Sequence, residues 1–146
     1  MNTRQANEKD IPSIVEINKV LEIKGCEQSK FPQIKEWIGE NLGDYFVYEE
    51  NGKIKGAMLL NKYGRITQLA VEGDSQHQGI GRTLIDLAKQ VAIKNGNIAL
   101  KAESNKSYNV KGFYETCGFS IMKEEGANYI FRAIVREGFY FSPQHS

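Results

Sequence analysis

The sequence contains no apolar run that approaches the roughly 20 residues needed to span a bilayer. Residues 1–7 also lack the apolar segment of a signal peptide. We therefore expect a cytoplasmic protein with no membrane partner. An excess of one charge is lacking as well, because 19 basic and 18 acidic residues give a net charge of +1. This balance supplies no basis for binding nucleic acid.

Cysteine and histidine are also scarce, with two of each in the chain. Cys26 and Cys117 show no metal-ligand spacing, and His77 and His145 do not complete a site with them. We therefore predict no metal site. In a reducing compartment both thiols are expected to stay reduced and to fill apolar space, with a reactive thiol as the alternative.

What the sequence does contain is the composition of a folded domain, with 40% apolar and 25% charged residues. Because no repeat, low-complexity tract or linker divides it, we predict a single domain over residues 1–146. Its fold class is mixed α/β (α+β), with about seven strands and about four helices. In chain order the predicted elements are a strand at Thr3–Ala6, a helix from Ile11 to Leu21, a helix from Phe31 to Leu42, strands at Tyr45–Tyr48, Lys53–Asn61 and Arg65–Val71, a helix at Thr83–Asn95, a strand at Asn97–Glu103, a helix from Val110 to Cys117, and strands at Phe119–Lys123 and Tyr129–Val135.

Local signals indicate how these strands pair. Asn51-Gly52 predicts a type I′ turn between the second and third strands, which makes them an antiparallel hairpin. The strand–helix–strand unit from Arg65 to Glu103 predicts a right-handed parallel crossover. The sheet is therefore expected to be antiparallel at first and parallel in the middle. Lys24–Lys30, between the first two helices, is predicted to be polar and irregular.

The stretch Gln76–Arg82 links a strand to the N-terminus of a helix. The first N–H groups of a helix have no intrahelical acceptor, and the glycines at 79 and 81 let an anion approach the backbone closely. The stretch therefore predicts a phosphate or pyrophosphate site, with a ligand-free turn as the alternative. Leu84 occupies the place of the third glycine of a dinucleotide fingerprint, which excludes a Rossmann site. No Gly-Lys-Ser/Thr follows, which excludes a P-loop NTPase.

Four separated motifs give the chain a resemblance to the GNAT family, the Gcn5-related N-acetyltransferases. They are the pyrophosphate-loop pattern Gln76-His77-Gln78-Gly79-Ile80-Gly81, the strand end Leu69-Ala70-Val71, the pair Phe113-Tyr114 followed by Gly118-Phe119, and the opening Arg4-Gln5-Ala6 followed by Asp10-Ile11. The resemblance runs from about residue 3 to about residue 135 and includes the order of the predicted elements.

The resemblance implies acetyl-CoA, or another short acyl-CoA, as acyl donor, with no metal. The pyrophosphate is then expected on the backbone of the glycine stretch, and the pantetheine arm between the strands Arg65–Val71 and Asn97–Glu103. Arg82 either adds charge there or is solvated. Where the family often has Asn-x-x-Ala, this chain has Ser107 and Val110. The residues implied at the cofactor are Leu69, Ala70, Val71, Gln76, His77, Gln78, Gly79, Ile80, Gly81, Arg82, Thr83, Asn105, Ser107 and Asn109.

The resemblance also implies catalytic roles. Tyr114 stands where the family's tyrosine protonates the departing CoA thiolate, with a buried structural tyrosine as the alternative. Glu72 and Glu103 end central strands and are candidate general bases for the acceptor amine, with a surface carboxylate as the alternative for each. In this fold the acceptor pocket is walled by the first two helices and their connection, roughly Gly25–Trp37, and by the turn Glu124–Asn128.

The function implied is transfer of an acetyl group from acetyl-CoA directly to a primary amine of a small molecule or peptide. One alternative is a non-catalytic acyl-CoA-binding regulatory module, and another is an unrelated α/β phosphate-binding domain. The aromatic tail residues Phe139-Tyr140-Phe141 are expected either to cap the domain or to cover a partner subunit in a homodimer. The sequence does not choose between these two roles.

Overall fold

A computed structural model describes residues 2–76 and 78–136 of the chain. The described residues form seven strands and four α-helices, which confirms the predicted mixed α/β fold. Their bounds are β1 Thr3–Gln5, α1 Ile11–Ile17, α2 Lys35–Glu40, β2 Tyr45–Glu50, β3 Lys53–Leu60, β4 Arg65–Val71, α3 Ile80–Lys94, β5 Ala99–Asn105, α4 Lys111–Thr116, β6 Ser120–Glu125 and β7 Asn128–Ile134. His77 lies outside the described residues. The aromatic tail Phe139–Phe141, for which two roles were predicted, lies outside them as well.

The strands form one sheet with the order β1-β2-β3-β4-β5-β7-β6. β1 and β3 both pair with β2 in antiparallel fashion, and β7 pairs antiparallel with both β5 and β6. β4 and β5 are parallel. Asn51 and Gly52 have φ values of 53° and 77°, the positive pair that a type I′ turn requires between β2 and β3.

Residue contacts divide the chain into two compact units, and the first comprises Met1–Leu60 and Gln68–Leu84. Its core is a cluster of buried side chains from α1, α2 and strands β2 to β4. The cluster consists of Ile14, Ile17, Ile38, Tyr45, Val47, Ala57, Leu59 and Ala70. Gly56 permits a close approach within this unit, because a Cβ there would lie 2.8 Å from Cγ2 of Ile80 and 3.1 Å from Cδ1 of Leu84. The first turn of α3 is therefore packed directly on β3.

The second unit comprises Asn61–Thr67 and Ile85–Ser146. Its buried side chains include Leu100 and Ala102 of β5 and an aromatic group around α4 and β7. Gly64, with φ of 82°, lets the turn before β4 pass close to β5, since a Cβ there would lie 2.8 Å from the carbonyl oxygen of Ala99. β4 is paired with β5 in this unit, Arg65 opposite Lys101 and Ile66 opposite Ala102.

The connection between α1 and α2 differs from the prediction. Lys24–Lys30 was expected to be irregular, yet Glu27–Gln33 forms a 3-10 helix. The hydroxyl of Ser29 accepts from the N–H of Ile23 at 2.8 Å and donates to the carbonyl of Cys26 at 2.7 Å. These bonds fold the connection on itself. Helix α2 begins at Lys35 rather than at Phe31, because Ile34 is extended, with φ of −98° and ψ of 118°.

Candidate functional site

The glycine stretch forms the N-terminus of α3, as predicted, although the helix begins at Ile80, three residues earlier than expected. Gly79 has φ of +81°, a conformation that disfavours any residue with a Cβ. Its carbonyl accepts from the N–H of Thr83 at 3.0 Å and from the Thr83 hydroxyl at 2.9 Å. Gly79 is therefore the residue that closes the first helical turn.

The N–H groups of this first turn, those of Ile80, Gly81 and Arg82, have no intrahelical acceptor by the geometry of a helix. The helix dipole adds positive potential at the same end. Ile80 is buried, whereas the side chains of Gln78 and Arg82 are exposed. The turn is thus anchored by one apolar side chain and presents backbone donors, an arrangement suited to an anion.

Gln76 reaches back from the loop to the strand that precedes it. Its Nε2 donates to the carbonyl of Val71 at 3.4 Å. The side chain of Gln76 thus links the loop to the end of β4. In β4 itself the side chain of Ala70 is buried, while those of Leu69 and Val71 are half-buried. Any role of Ala70 toward a cofactor is therefore a backbone role.

Glu72 lies directly after β4 in the first unit, beside the glycine stretch in sequence. Its backbone N–H donates to the carbonyl of Lys55 at 2.9 Å. The Ser75 hydroxyl, which is buried, donates to its Oε1 at 2.9 Å. No ion pair to Glu72 occurs among the described residues. The carboxylate is thus oriented by a neutral donor.

Glu103 lies in β5 of the second unit, and both of its carboxylate oxygens are engaged. Arg65 Nη2 donates to Oε1 at 2.5 Å, and Asn128 Nδ2 donates to Oε2 at 2.7 Å. Neither oxygen of this carboxylate is therefore without a protein donor. The structure therefore places Glu103 in a polar bridge between β4, β5 and β7.

Tyr114 is buried in α4 among aromatic side chains of the second unit. Its ring stacks on Phe131 with centroids 4.7 Å apart, and it meets Phe113 and Phe119 edge-on at 5.3 Å. Burial raises the pKa of the Tyr114 phenol well above its usual value of about 10, with a smaller contribution from Cys117. The phenol is therefore neutral at physiological pH and can donate a hydrogen bond.

The three candidates for a pantetheine contact precede α4. Asn105 caps the 3-10 helix Lys106–Tyr108, since its Oδ1 accepts from the N–H of Ser107 at 2.9 Å. Asn109 ends that helix in the left-handed conformation, with φ of 58°. The side chains of Ser107 and Asn109 are exposed. The cap occupies the oxygen of Asn105 and leaves its amide nitrogen as the group that can donate.

The predicted residues fall into two sets. The first unit holds the glycine stretch, the end of β4 and Glu72, whereas the second holds Tyr114, Glu103 and Asn105. Sequence reasoning missed a buried polar chain in the first unit, formed by Asn18, Tyr45 and Gln68. Their spacing in sequence is irregular, so only the fold could reveal the chain.

No helix within residues 2–76 and 78–136 is long and apolar enough to cross a bilayer. No group of three or more His, Cys, Asp or Glu side chains in the same residues is arranged to hold a metal ion.

Known folds of similar architecture were found by comparison with solved structures. A PaiA N-acetyltransferase from Thermoplasma acidophilum, in complex with coenzyme A, has a TM-score of 0.69 at 15% identity, with 90% of this chain and 97% of that chain covered. A GCN5-related N-acetyltransferase from Rhodopseudomonas palustris has a TM-score of 0.77 at 18% identity, with 90% and 94% covered. These likenesses show a shared fold.

N-acetylglutamate synthase from Neisseria gonorrhoeae, complexed with coenzyme A and N-acetylglutamate, has a TM-score of 0.73 at 20% identity. The match covers 91% of this chain and 34% of that chain. No curated protein sequence matches this chain significantly. The family model of the acetyltransferase (GNAT) domain, however, matches residues 24–134, well over half of the chain. The predicted family and the acyltransferase class are thereby confirmed, and the chain belongs to the GNAT family of acetyltransferases.

Proposed function

We propose that this chain transfers an acetyl group from acetyl-CoA directly to a primary amine of a small molecule or peptide. The observation that carries the proposal is the start of α3, where Gly79 closes a first turn whose N–H groups suit a pyrophosphate. The coenzyme A bound by the PaiA relative supports the donor. The N-acetylglutamate bound by the Neisseria synthase supports an amine acceptor.

The residues of the first unit fit a pyrophosphate. Ile80 is buried against Gly56, so the turn is held in place without using a polar side chain. Gln76 ties the loop to the carbonyl of Val71. The ligand can therefore be held by backbone N–H groups of Ile80 to Arg82, and the Arg82 side chain can add charge from an exposed position.

The bound donor would supply an activated thioester carbonyl. The backbone N–H of Leu69 or of Val71 is the proposed donor to its oxygen as negative charge develops there, because the N–H of Glu72 faces β3 and alternate N–H groups of a strand face the same side. The burial of Ala70 keeps this part of β4 rigid, which preorganises such donors. One donor of this kind typically contributes about 10²–10³ in rate.

The acceptor amine must lose a proton, because an ammonium has no lone pair and a lysine-like amine has a pKa of about 10.4. Of the two candidate bases, Glu72 is better suited. Glu103 is paired with Arg65 and Asn128, whereas Glu72 accepts from the neutral Ser75 hydroxyl. We therefore assign proton acceptance to Glu72, directly or through water, and a structural role to Glu103.

Tyr114 is proposed to stabilise the departing thiolate. Its raised pKa keeps the phenol protonated, which is what a donor needs. The same shift makes complete proton transfer to a thiolate, whose conjugate acid has a pKa near 8.5, less favourable. The role that fits both facts is a hydrogen bond from the Tyr114 hydroxyl to the sulfur. The phenol keeps its proton, and the released thiolate takes its proton from water.

One observation favours a second candidate, the non-catalytic acyl-CoA-binding module. Tyr114 is only 5% exposed and contacts three aromatic rings, as a purely structural tyrosine would. A module of this kind keeps the glycine loop and binds CoA without turning it over. Turnover therefore distinguishes the two candidates.

The test is an acceptor screen that follows release of free CoA thiol from acetyl-CoA. The panel contains polyamines, aminoglycosides, amino acids and peptides with free N-termini. We expect at least one class to raise thiol release well above the rate without acceptor. Calorimetry with CoA, ATP and NAD in parallel is expected to show binding of CoA. Binding of CoA with no acceptor-dependent release would favour the module, and absence of CoA binding would contradict both candidates.

A further inference from the structure

A series of hydrogen bonds, buried except at Gln68, crosses the first unit from the α1–α2 connection to β4. Asn18 Nδ2 donates to the carbonyl of Pro32 at 2.8 Å and to the hydroxyl of Tyr45 at 3.3 Å. The Tyr45 hydroxyl in turn donates to Oε1 of Gln68. Asn18 and Tyr45 are completely buried, and Gln68 is half-buried. These hydrogen bonds thus link a proposed wall of the acceptor pocket to the middle of β4.

The Pro32 carbonyl, at one end of this series of hydrogen bonds, determines which group donates and which accepts in each bond. The carbonyl of Pro32 can only accept, so the amide atom of Asn18 that faces it must be nitrogen. The second N–H of that amide then points at Tyr45, whose single hydroxyl proton is left for Gln68. Gln68 must therefore present its oxygen to Tyr45 and turn its NH₂ group away from it.

This series of hydrogen bonds ends at a donor, the side-chain NH₂ group of Gln68. The structure gives Nε2 of Gln68 no hydrogen bond among residues 2–76 and 78–136, although its oxygen is firmly held. At the other end, Oδ1 of Asn18 is buried without a partner in the same residues. Buried polar groups that serve only stability are normally satisfied. The unsatisfied oxygen of Asn18 is unfavourable for the stability of the fold, while the NH₂ group of the same side chain orients Gln68 through Tyr45.

Gln68 lies on the strand that carries the proposed thioester contacts. It directly precedes Leu69–Val71, and a strand rises about 3.3 Å per residue, so Gln68 lies roughly 3–10 Å along β4 from these groups. A molecule the size of an amino acid spans such a distance. Its amine can therefore approach the thioester while another of its groups contacts Gln68.

We propose that Gln68 recognises the acceptor, and that the acceptor is an amine that also carries a carboxylate or carbonyl oxygen. This inference rests on the proposed acetyltransferase function. An NH₂ group with its own oxygen already engaged can bind an acceptor oxygen and offers nothing to an ammonium group. The substrate class is then amino acids and peptide N-termini rather than polyamines. Tyr45 and Asn18 are positioning residues that act through Gln68.

The test compares amines that differ only in a carboxylate, namely lysine with cadaverine and phenylalanine with phenethylamine. The wild-type chain is expected to show a higher kcat/KM for the amino acid of each pair. In Gln68→Glu an oxygen replaces the outward NH₂, so the ratio within each pair should fall by about tenfold or more, as a charge-assisted hydrogen bond is lost. Gln5→Glu adds the same charge at an exposed position of β1 and should leave the ratio unchanged.

Tyr45→Phe tests the positioning role separately. Without the hydroxyl, Gln68 is free to rotate, so KM for the amino acid should rise several-fold while kcat and the kinetics of the decarboxylated amine change little. A role of Tyr45 in stability alone would change both substrates equally. Thermal melting of each variant with CoA bound identifies any loss of folding.

The possible failures are distinguishable. Wild-type turnover with a ratio that Gln68→Glu does not change would overturn this inference and leave the proposed function intact. If Gln68→Glu fails to fold, Gln68→Met serves in its place, since it removes both amide atoms at similar volume. A wild-type chain that acetylates no amine at all would overturn the proposed function, and this inference with it.

Discussion

The glycine loop, residues 76–82, and the aromatic cluster of Tyr114 with Phe113, Phe119 and Phe131 offer their chemistry in different ways. The loop presents backbone N–H groups, and the side chains of Gln76, Gln78 and Arg82 are exposed. The cluster presents one phenol, whose properties come from the three phenylalanine rings around it. The loop should therefore depend on backbone conformation and tolerate side-chain changes. The cluster should depend on a single hydroxyl group and on the burial around it.

The largest expected effect is that of Tyr114→Phe. The substitution removes the proposed donor to the leaving thiolate while keeping the aromatic contacts, so the fold should be retained. We expect kcat to fall by about 10²–10³, the usual range for a lost hydrogen-bond donor to developing negative charge, with CoA affinity within about twofold of wild type. Steady-state kinetics and calorimetry measure the two quantities. An unchanged kcat would make Tyr114 a structural residue and remove the contrast between the two regions.

The next effect in size is that of Gly79→Val. Valine is strained at φ of +81°, and a strained residue there should distort the first turn of α3. We expect CoA affinity to fall by about tenfold or more in calorimetry. Gly43→Val is the matched control, because both glycines have room for a Cβ and only Gly79 has positive φ. Equal affinities in the two variants would show that the loop does not hold the ligand by its backbone.

Stability at alkaline pH tests the burial of Tyr114. A phenol whose folded pKa is raised stabilises the fold fully below its unfolded pKa of about 10, and this stability is lost as pH rises toward the folded value. Urea unfolding from pH 8 to 11 should therefore show a smaller loss in Tyr114→Phe than in wild type. The difference is at most about 1.4 kcal/mol per pH unit.

Some loss of stability at alkaline pH should persist in the Tyr114→Phe variant, because burial also raises the pKa of Tyr45. Tyr63→Phe changes a tyrosine that is 74% exposed and should leave the wild-type slope unaltered. If Tyr114→Phe and Tyr63→Phe gave the same slope, the phenol of Tyr114 would have to be accessible to water, and the aromatic cluster would not differ from an exposed tyrosine in this respect.

The smallest expected effect is that of Arg82→Gln. Arg82 is exposed at the start of α3, where charges are screened by salt. We expect CoA affinity to fall by no more than about threefold at physiological salt, less than for Gly79→Val. A tenfold loss would show that the loop relies on a side chain as well as on its backbone.

The sequence could predict the features that neighbouring residues determine, and it could not predict those that depend on contacts between distant residues. The bounds of β4, the hairpin turn at Asn51-Gly52 and the cap at Gly79 follow from residues close to one another in the chain. The predicted start of α3 was late because Ile80 and Gly81 were assigned to the loop rather than to the first turn. The 3-10 helix Glu27–Gln33 was missed because Ser29 makes it by bonding to Ile23 and Cys26, a pattern without apolar periodicity.

The features of the candidate site that the sequence did not predict depend on contacts between residues that are far apart in the sequence. Glu103 meets Arg65 and Asn128, which are 38 and 25 residues away in sequence, and these two donors occupy both of its carboxylate oxygens. Tyr45 meets Gln68 from 23 residues away. Neither pairing has a local signal, so the carboxylate could be proposed from its place at a strand end, but its surroundings could not.

The proposal that the chain transfers an acetyl group from acetyl-CoA directly to an amine is tested most directly by the stoichiometry of the reaction. Free CoA thiol and N-acetylated acceptor are measured in one vessel, the first by thiol titration and the second by mass spectrometry, with intact-mass analysis of the protein. We predict one thiol released per amine acetylated and no acetylated protein intermediate. Thiol release without acetylated amine, or an acetyl group retained on the protein during turnover, would contradict it.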